Sequence, residues 1–261
     1  MAPNYIQLAN DFLELGKENY RKEDYKEALR AFEHALNINN SALLSLDTDT
    51  SLLYNTALAA YNSKDWYKAG LYLSQLNDLS YSANVSHLLF VSLMEQSDTL
   101  AAVNALSDGV IRYNYNEKLV LLLSDYLYQN NEIPHAMSLL DSAQNRHPEN
   151  PVLPYTKGLI NQKTGNYVQA IEDYENSILL DPDKIEAYSH IANCYYNMAV
   201  DIDEKARNIS SKNRYQAEKA RAVTARESAI EWLEKAYGKD PLDEQVRDQL
   251  NKLNQFLMID K

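Results

Sequence analysis

Small and large apolar positions recur along this chain at fixed offsets, and the clearest two copies lie 34 residues apart. Gly158, Ala170, Tyr174, Ser177 and Pro182 repeat the places of Ser124, Ala136, Leu140, Ala143 and Pro148. A small residue, Ala, a large apolar residue, another small residue and Pro at that period predict two helices joined by a tight turn. Small residues on facing turns let the helices approach closely, while bulky neighbours flank the contact. One such unit cannot bury its apolar face alone, so the units must stack.

The same template fits the rest of the chain. Gly16, Ala28, Phe32 and Ala35 mark a first unit, preceded by Phe12 and Leu15, with Asn40 where Pro is expected. Ala57, Ala69, Leu73 and Leu76 mark a second, after an enlarged connection from Asn39 to Thr50. Phe90, Ala102, Leu106 and Gly109 form the weakest copy, spaced 33 from the second. Tyr188, Ala192 and Tyr195 open a sixth, which resumes at Ala229, Leu233, Ala236 and Pro241. The predicted units cover about 9–42, 50–82, 83–116, 117–150, 151–184 and 185–241. A capping helix over 242–258 follows, with Leu242, Val246, Leu250, Leu253 and Leu257 as its stripe. Polar turns such as Glu23-Asp24-Tyr25, Lys64-Asp65-Trp66, Ser97-Asp98-Thr99 and Gly165-Asn166-Tyr167 separate the helices within units.

The interruption in the sixth unit is itself patterned. Ala192 and Ala229 are 37 residues apart where the template has 12, so 25 residues are added near 199–227. Ala199, Ile202, Ala206 and Ile209 continue one helical stripe, and Tyr215, Ala222 and Ala225 lead into the next, across the polar Ser210-Ser211-Lys212-Asn213. Two elongated helices in an antiparallel hairpin are expected, projecting roughly 18 Å past the stack at ~1.5 Å per residue.

Charge narrows the function. A net charge of −12 argues against nucleic acid, whose phosphates need a cationic surface. From Ala199 to Glu227, however, seven Lys or Arg stand against five Asp or Glu. Lys205, Arg207, Lys212, Arg214, Lys219 and Arg221 are therefore either a docking element or simply the solvated face of an exposed hairpin.

Chemistry is sparse. The single Cys194 leaves no intramolecular disulfide or cysteine-rich zinc site, and its place beside a small packing position makes it a core residue. His34, His87, His135, His147 and His190 fall in different units without HxxxH or HExxH spacing. With no Walker loop, GxGxxG or GxSxG either, no catalytic residue, metal or cofactor is expected. No apolar run approaches the ~20 residues of a membrane span. Met-Ala-Pro-Asn-Tyr lacks the apolar core of a secretory leader. A natural start and a chain whose leader was removed both fit, which leaves the cytoplasm and the bacterial periplasm open. Twenty tyrosines stand against four phenylalanines, favouring half-buried rings with wet hydroxyls.

Over roughly residues 9–241 the pattern resembles the tetratricopeptide repeat family, most specifically in units one, five and six. The family's usual Trp at the fourth repeat position is replaced by Phe12, Leu53, Pro154 or Tyr188. The resemblance implies an all-α, right-handed α-solenoid of stacked antiparallel helix pairs, here with an elongated hairpin in the last repeat and a capping helix. Residues 1–261 would form one such domain. It also implies a non-enzymatic interaction scaffold whose concave groove is lined by the first helix of each unit. Carried onto this chain, the lining comprises Lys17, Tyr20 and Arg21; Tyr54, Tyr61 and Asn62; and His87, Met94 and Glu95. It continues with Asp125, Tyr128 and Gln129; Tyr155, Gln162 and Lys163; and Asn193, Tyr196 and Asn197.

Such a tyrosine- and amide-rich surface suits an extended peptide. The other reading of each ring is that it packs on the adjacent helix and shows only an edge. Lys17, Arg21, Lys118 and Lys163 face Glu95, Asp125 and Glu186, a net of +1, which points to a polar segment rather than a strongly charged tail. Chaperone-binding members clamp a terminal carboxylate with Lys, Asn and Arg. Lys17 and Asn55 match part of that clamp, but Asn84 and Leu88 stand where a cation is expected. The expected partner is another protein or an extended peptide. Self-assembly through the hairpin, and an enzyme or small-ligand sensor with a closed pocket, are the alternatives.

Overall fold

Thirteen helices and no strand make up residues 2–41 and 49–259, which the computed structural model describes. They fall into six pairs and a final helix. The pairs are α1 (Ala2–Arg21) with α2 (Tyr25–Asn39), α3 (Thr50–Asn62) with α4 (Trp66–Asp78), and α5 (Ala83–Glu95) with α6 (Thr99–Arg112). Next come α7 (Glu117–Gln129) with α8 (Ile133–Arg146), α9 (Val152–Lys163) with α10 (Tyr167–Leu180), and α11 (Ile185–Ala206) with α12 (Lys212–Lys239). The final helix is α13 (Glu244–Ile259). Most of the enlarged connection expected after the first pair, 42–48, lies outside the described residues. The helices group into two compact units, Met1–Leu123 and Ser124–Lys261, with the boundary inside α7. No helix among the described residues is long and apolar enough to cross a membrane.

One turn design joins the first five pairs. Its middle residue adopts the left-handed conformation: Glu23 at φ 62°, Lys64 at 61°, Ser97 at 64°, Asn131 at 61° and Gly165 at 80°. The next residue sends its N–H back five positions to a helix carbonyl, as Asp24 does to Asn19 at 3.0 Å and Asp65 to Ala60 at 2.9 Å. That bond closes the last turn of the first helix. The same residue then caps the second helix. Asp24, Asp65 and Asp98 accept from the amides of Glu27, Lys68 and Ala101 at 3.2–3.3 Å. Three residues thus end one helix and start the next, which sets the two antiparallel.

Only Gly165 holds the left-handed position without steric cost, since a Cβ there costs about 1–2 kcal/mol. Lys64→Gly is expected to raise stability by about 0.5–1 kcal/mol after the unfolded-state entropy of glycine is deducted. Chemical denaturation of the variant beside the parent chain checks this, and an unchanged midpoint would refute it.

The small positions do their work at the pair interface. Ala28, Ala57, Ala69, Ala102, Ala136, Ala170 and Ala229 are fully buried, and Gly16, Ser124, Gly158 and Ala192 are buried with them. Volume is conserved across the contact. A Cβ on Gly16 would meet the Phe32 ring at 2.4 Å, and one on Gly158 the Tyr174 ring at 2.7 Å. Where the large residue is Leu73, Leu140 or Leu233, its small counterpart is Ala57, Ser124 or Ala192. The third pair solves the problem elsewhere. Phe90 fills the small site, and close approach moves to Ser86 against Gly109, where an added Cβ would lie 2.7 Å from Ser86 Cβ.

The sixth pair is a long hairpin: α11 and α12 have 22 and 28 residues against 12 and 14 in α9 and α10. Ala199, Ala206, Ala222 and Ala225 are buried between the two, with Ile202 against them. Ile209, expected on the helical stripe, instead lies in the connection. Tight bonds from Asn208 and Ile209 amides to the Lys205 and Ala206 carbonyls have already ended α11. The start of the last helix also differs from expectation. Asp243 accepts from the amides of Gln245 at 2.9 Å and Val246 at 3.0 Å, so α13 begins at Glu244. Leu242 is left before it, 87% exposed, while Val246, Leu253 and Leu257 are buried.

Candidate interaction face

Within each compact unit, side chains link the first helices of successive pairs. In the first compact unit, Asn62 on α3 donates to the Tyr20 hydroxyl on α1 at 2.6 Å. Asn84 on α5 donates to the Tyr54 hydroxyl on α3 at 3.2 Å, and Lys118 on α7 reaches Asn84 Oδ1 at 3.5 Å. In the second unit, Lys163 on α9 stands over the Tyr128 ring of α7, 5.2 Å from its centroid. Tyr155 on α9 meets the His190 ring of α11 edge-on at 5.7 Å. Gln162 on α9 accepts from His190 Nδ1 at 2.9 Å and from the Tyr174 hydroxyl at 2.7 Å. Apart from Tyr174, which reaches Gln162 from α10, each contact is a rung from one first helix to the next, and the rungs mark a face on each compact unit.

The rings on these faces are half committed to the protein. Tyr20 packs edge-on against Tyr25, Tyr54 stacks on Tyr81, and Tyr61 meets Trp66 edge-on, with centroids 5.1–5.3 Å apart. Tyr155 touches both Tyr174 and His190, and Lys184 sits 4.3 Å from its ring centroid. These tyrosines are half-buried, each with its ring against a neighbouring aromatic. Tyr196 is the exception, 43% exposed.

Other expected lining residues stand apart from the rungs. Lys17 pairs within its own helix with Glu14 at 2.8 Å. Arg21, Glu95, Asp125 and Gln129 are exposed, and Met94 and Asn197 are half-buried. His87 is half-buried with no partner for Nδ1, and burial, then the charge of Lys118, push its pKa down, so it is neutral at pH 7. Burial likewise lowers His190 against the opposing pull of Glu186.

Asn193 and Tyr196 line a cavity of about 290 Å³ with Ala192, Leu233, Gln249, Lys252, Leu253 and Phe256, between α11, α12 and α13. Residues of α13, and His190 in its role as a rung, are what sequence reasoning missed. His190 falls outside the repeat positions taken as lining, and nothing in the period says which face of a terminal helix meets the groove.

The hairpin cations divide. Lys205, Arg207, Lys212, Arg214 and Arg221 are exposed, and Arg221 pairs with Glu218 at 2.9 Å. Lys219 is drawn inward to Asp203 at 3.1 Å, and Arg226, counted in the basic excess, is buried against the same carboxylate. Cys194 is fully buried, which pushes its thiol up to about 12 and leaves no thiolate at neutral pH. Among the described residues no group of three His, Cys, Asp or Glu is arranged to hold a metal ion.

Residues 155–184, the α9–α10 pair, match the family model described as tetratricopeptide repeat. The chain contains a tetratricopeptide repeat. Solved structures extend that fold to the rest. The C-terminal part of a tetratricopeptide repeat-containing protein from Cytophaga hutchinsonii is 15% identical, with a TM-score of 0.56 over 91% of this chain and 99% of that one. A tetratricopeptide repeat protein from Parabacteroides merdae is also 15% identical, with a TM-score of 0.56 over 95% and 99%. A further one from Bacteroides fragilis is 18% identical over 95% and 98%, with a TM-score of 0.46. No curated protein matches the sequence. By the two matches at 0.56, the tetratricopeptide fold extends over more than nine-tenths of the chain.

Proposed function

We propose that this tetratricopeptide-repeat chain is a non-enzymatic scaffold that holds extended segments of another protein on the faces that the first helices form in each of its compact units. Tetratricopeptide arrays are in general protein-interaction modules. The observation that carries the reading here is the set of rungs, Tyr20–Asn62, Tyr54–Asn84–Lys118 and Tyr128–Lys163. They hold amides and hydroxyls at the surface in fixed positions, so a bound backbone finds donors and acceptors already ordered. Less side-chain entropy is then lost on association. Tyrosine edges add apolar contact at low entropic cost. Cys194 is fully buried with its thiol pushed up to about 12, so it offers no thiolate to these faces.

The test compares recovery of bound protein from the source cells by the parent chain and by Tyr61→Ala plus Tyr128→Ala. Recovery is expected to drop about tenfold, a loss of ~1.4 kcal/mol. Tyr128→Ala alone, which removes one rung, should give a smaller loss, and thermal melting of both variants separates lost contact from lost fold. Equal recovery by all three chains would count against the proposal.

A further inference from the structure

The α11–α13 end of the second compact unit carries two adjoining cavities of opposite character. The first, of about 290 Å³, has an apolar floor of Ala192, Leu233 and Leu253 and aromatic walls of Tyr196 and Phe256. Both wall rings are 43% exposed. Phe256 is held in place from behind by the Arg226 guanidinium, 4.6 Å from its centroid. A cation against a ring face in this way fixes its orientation. The second cavity, of about 320 Å³, has only carboxylates as its charged lining: Glu186, Asp240 and Asp243. His190 also lines it and is kept neutral by burial. One oxygen of Asp243 is spent on the α13 amides, so Glu186 and Asp240 carry most of the negative field. Asn193 and Gln249 line both cavities. Each amide offers a donor and an acceptor.

We infer that this pair of cavities is a subsite for a polypeptide segment in which a large apolar side chain neighbours a lysine or arginine. The inference rests on the proposed reading of the first-helix face and names what part of it selects. The apolar side chain enters between Tyr196 and Phe256 and covers Leu233, removing exposed apolar surface from water. The basic side chain extends toward Glu186 and Asp240 in the second cavity, which no Lys or Arg lines; the cation of the pair, Lys252, lines the first. Asn193 and Gln249 stand between the two and hydrogen-bond the connecting backbone. Charge complementarity identifies the occupant: a negatively charged cavity beside an apolar one rejects an acidic neighbour by like-charge repulsion. Specificity at this end is thus set by α13, which supplies Gln249, Phe256 and, through its cap, Asp243.

The experiment pans a random nonapeptide library displayed on phage against the full chain, then measures synthetic selected peptides by fluorescence polarisation. Enriched peptides are expected to carry Leu, Ile, Met or Phe beside Lys or Arg. Replacing that Lys or Arg with Glu should weaken binding to the parent chain by about tenfold or more. Glu186→Lys, a change at an exposed position, should invert the preference, and Phe256→Ala should remove selection at the apolar position while leaving the basic one. Enriched peptides without the apolar–basic pair, lost on Tyr128→Ala but indifferent to Glu186→Lys and Phe256→Ala, would overturn the subsite and leave the first-helix face standing. Peptides indifferent to all three variants, or no enrichment at all, would overturn both.

Discussion

Tyr174→Ala is expected to destabilise the second compact unit by about 3–5 kcal/mol, as for other fully buried aromatic truncations. Tyr174 is wholly inaccessible, stacks on His190 with centroids 5.2 Å apart, and sends its hydroxyl to Gln162 at 2.7 Å. Truncation leaves a cavity between α9, α10 and α11 and takes one of two donors from Gln162. Trp232, which packs with Ile178 and Tyr195 against the cluster that contains Tyr174, reports the loss by fluorescence in a Trp66→Phe background. The same site makes a sharper claim about volume. Gly158→Ala alone drives a Cβ into the Tyr174 ring at 2.7 Å and should be destabilising by about 1–2 kcal/mol, the helix propensity of alanine offsetting part of the overpacking. Gly158→Ala with Tyr174→Leu recreates the Ala57/Leu73 combination of the second pair, so the double variant should lose less than the two single changes together. Additive losses would show that the pairing of glycine with the aromatic is incidental.

Asp203→Ala is expected to lower the stability of the same unit by about 3 kcal/mol. Asp203 on α11 takes Lys219 at 3.1 Å and Arg226 in a second, shorter contact, both from α12. Arg226 is only 4% exposed, and removing the carboxylate strands its charge in the hairpin. A loss below about 1 kcal/mol would mean that Arg226 keeps its solvation without Asp203. The pair also has a pH signature. Burial alone would raise the Asp203 carboxyl. Hydrogen bonds from Arg226 and Lys219, backed by their charges, outweigh it and hold the group below the usual carboxylate range. The unfolded chain protonates this group near pH ~3.9, above the folded value. Its contribution is therefore complete above that pH and is lost as pH falls through the folded value. The stability gap between the parent chain and Asp203→Ala should narrow below pH ~4, and a constant gap would contradict this origin.

Much of the fold is legible because a repeat states each rule several times. The alanine twelve residues after Gly16, Ala57, Ser124 and Gly158, the aspartate ending three of the five turns and the 34-residue period are local facts, and they lead to helix pairs such as those of α1 to α12. The length of α11 and α12 is compatible with the expected hairpin, since Ala199, Ala206, Ala222 and Ala225 keep helical spacing on both sides of the polar stretch. The errors fall at ends. Ile209 and Leu242 have the right spacing but lie outside their helices, because capping bonds to the Lys205 and Ala206 carbonyls and to the Asp243 carboxylate decide where a helix stops or begins.

The candidate face was legible only as a set of positions. Repeat numbering selected Tyr20, Tyr54, Tyr128 and Tyr155, yet it could not tell an open ring from one packed against Tyr25, Tyr81 or His190. Nor could it find Asn84 as the joint between Tyr54 and Lys118, or bring Asp203 to Arg226 across 23 residues. By itself the amino-acid order determined helix pairs, their turns and the small contacts that let them stack, since each depends on neighbours within one or two helical turns or one period. The tertiary structure decided which side chains meet across successive repeats, which rings stay open, and how α13 closes the last cavities. Those contacts depend on how far and at what rotation one helix sits beside another, and that is set by the packing of all the side chains between them.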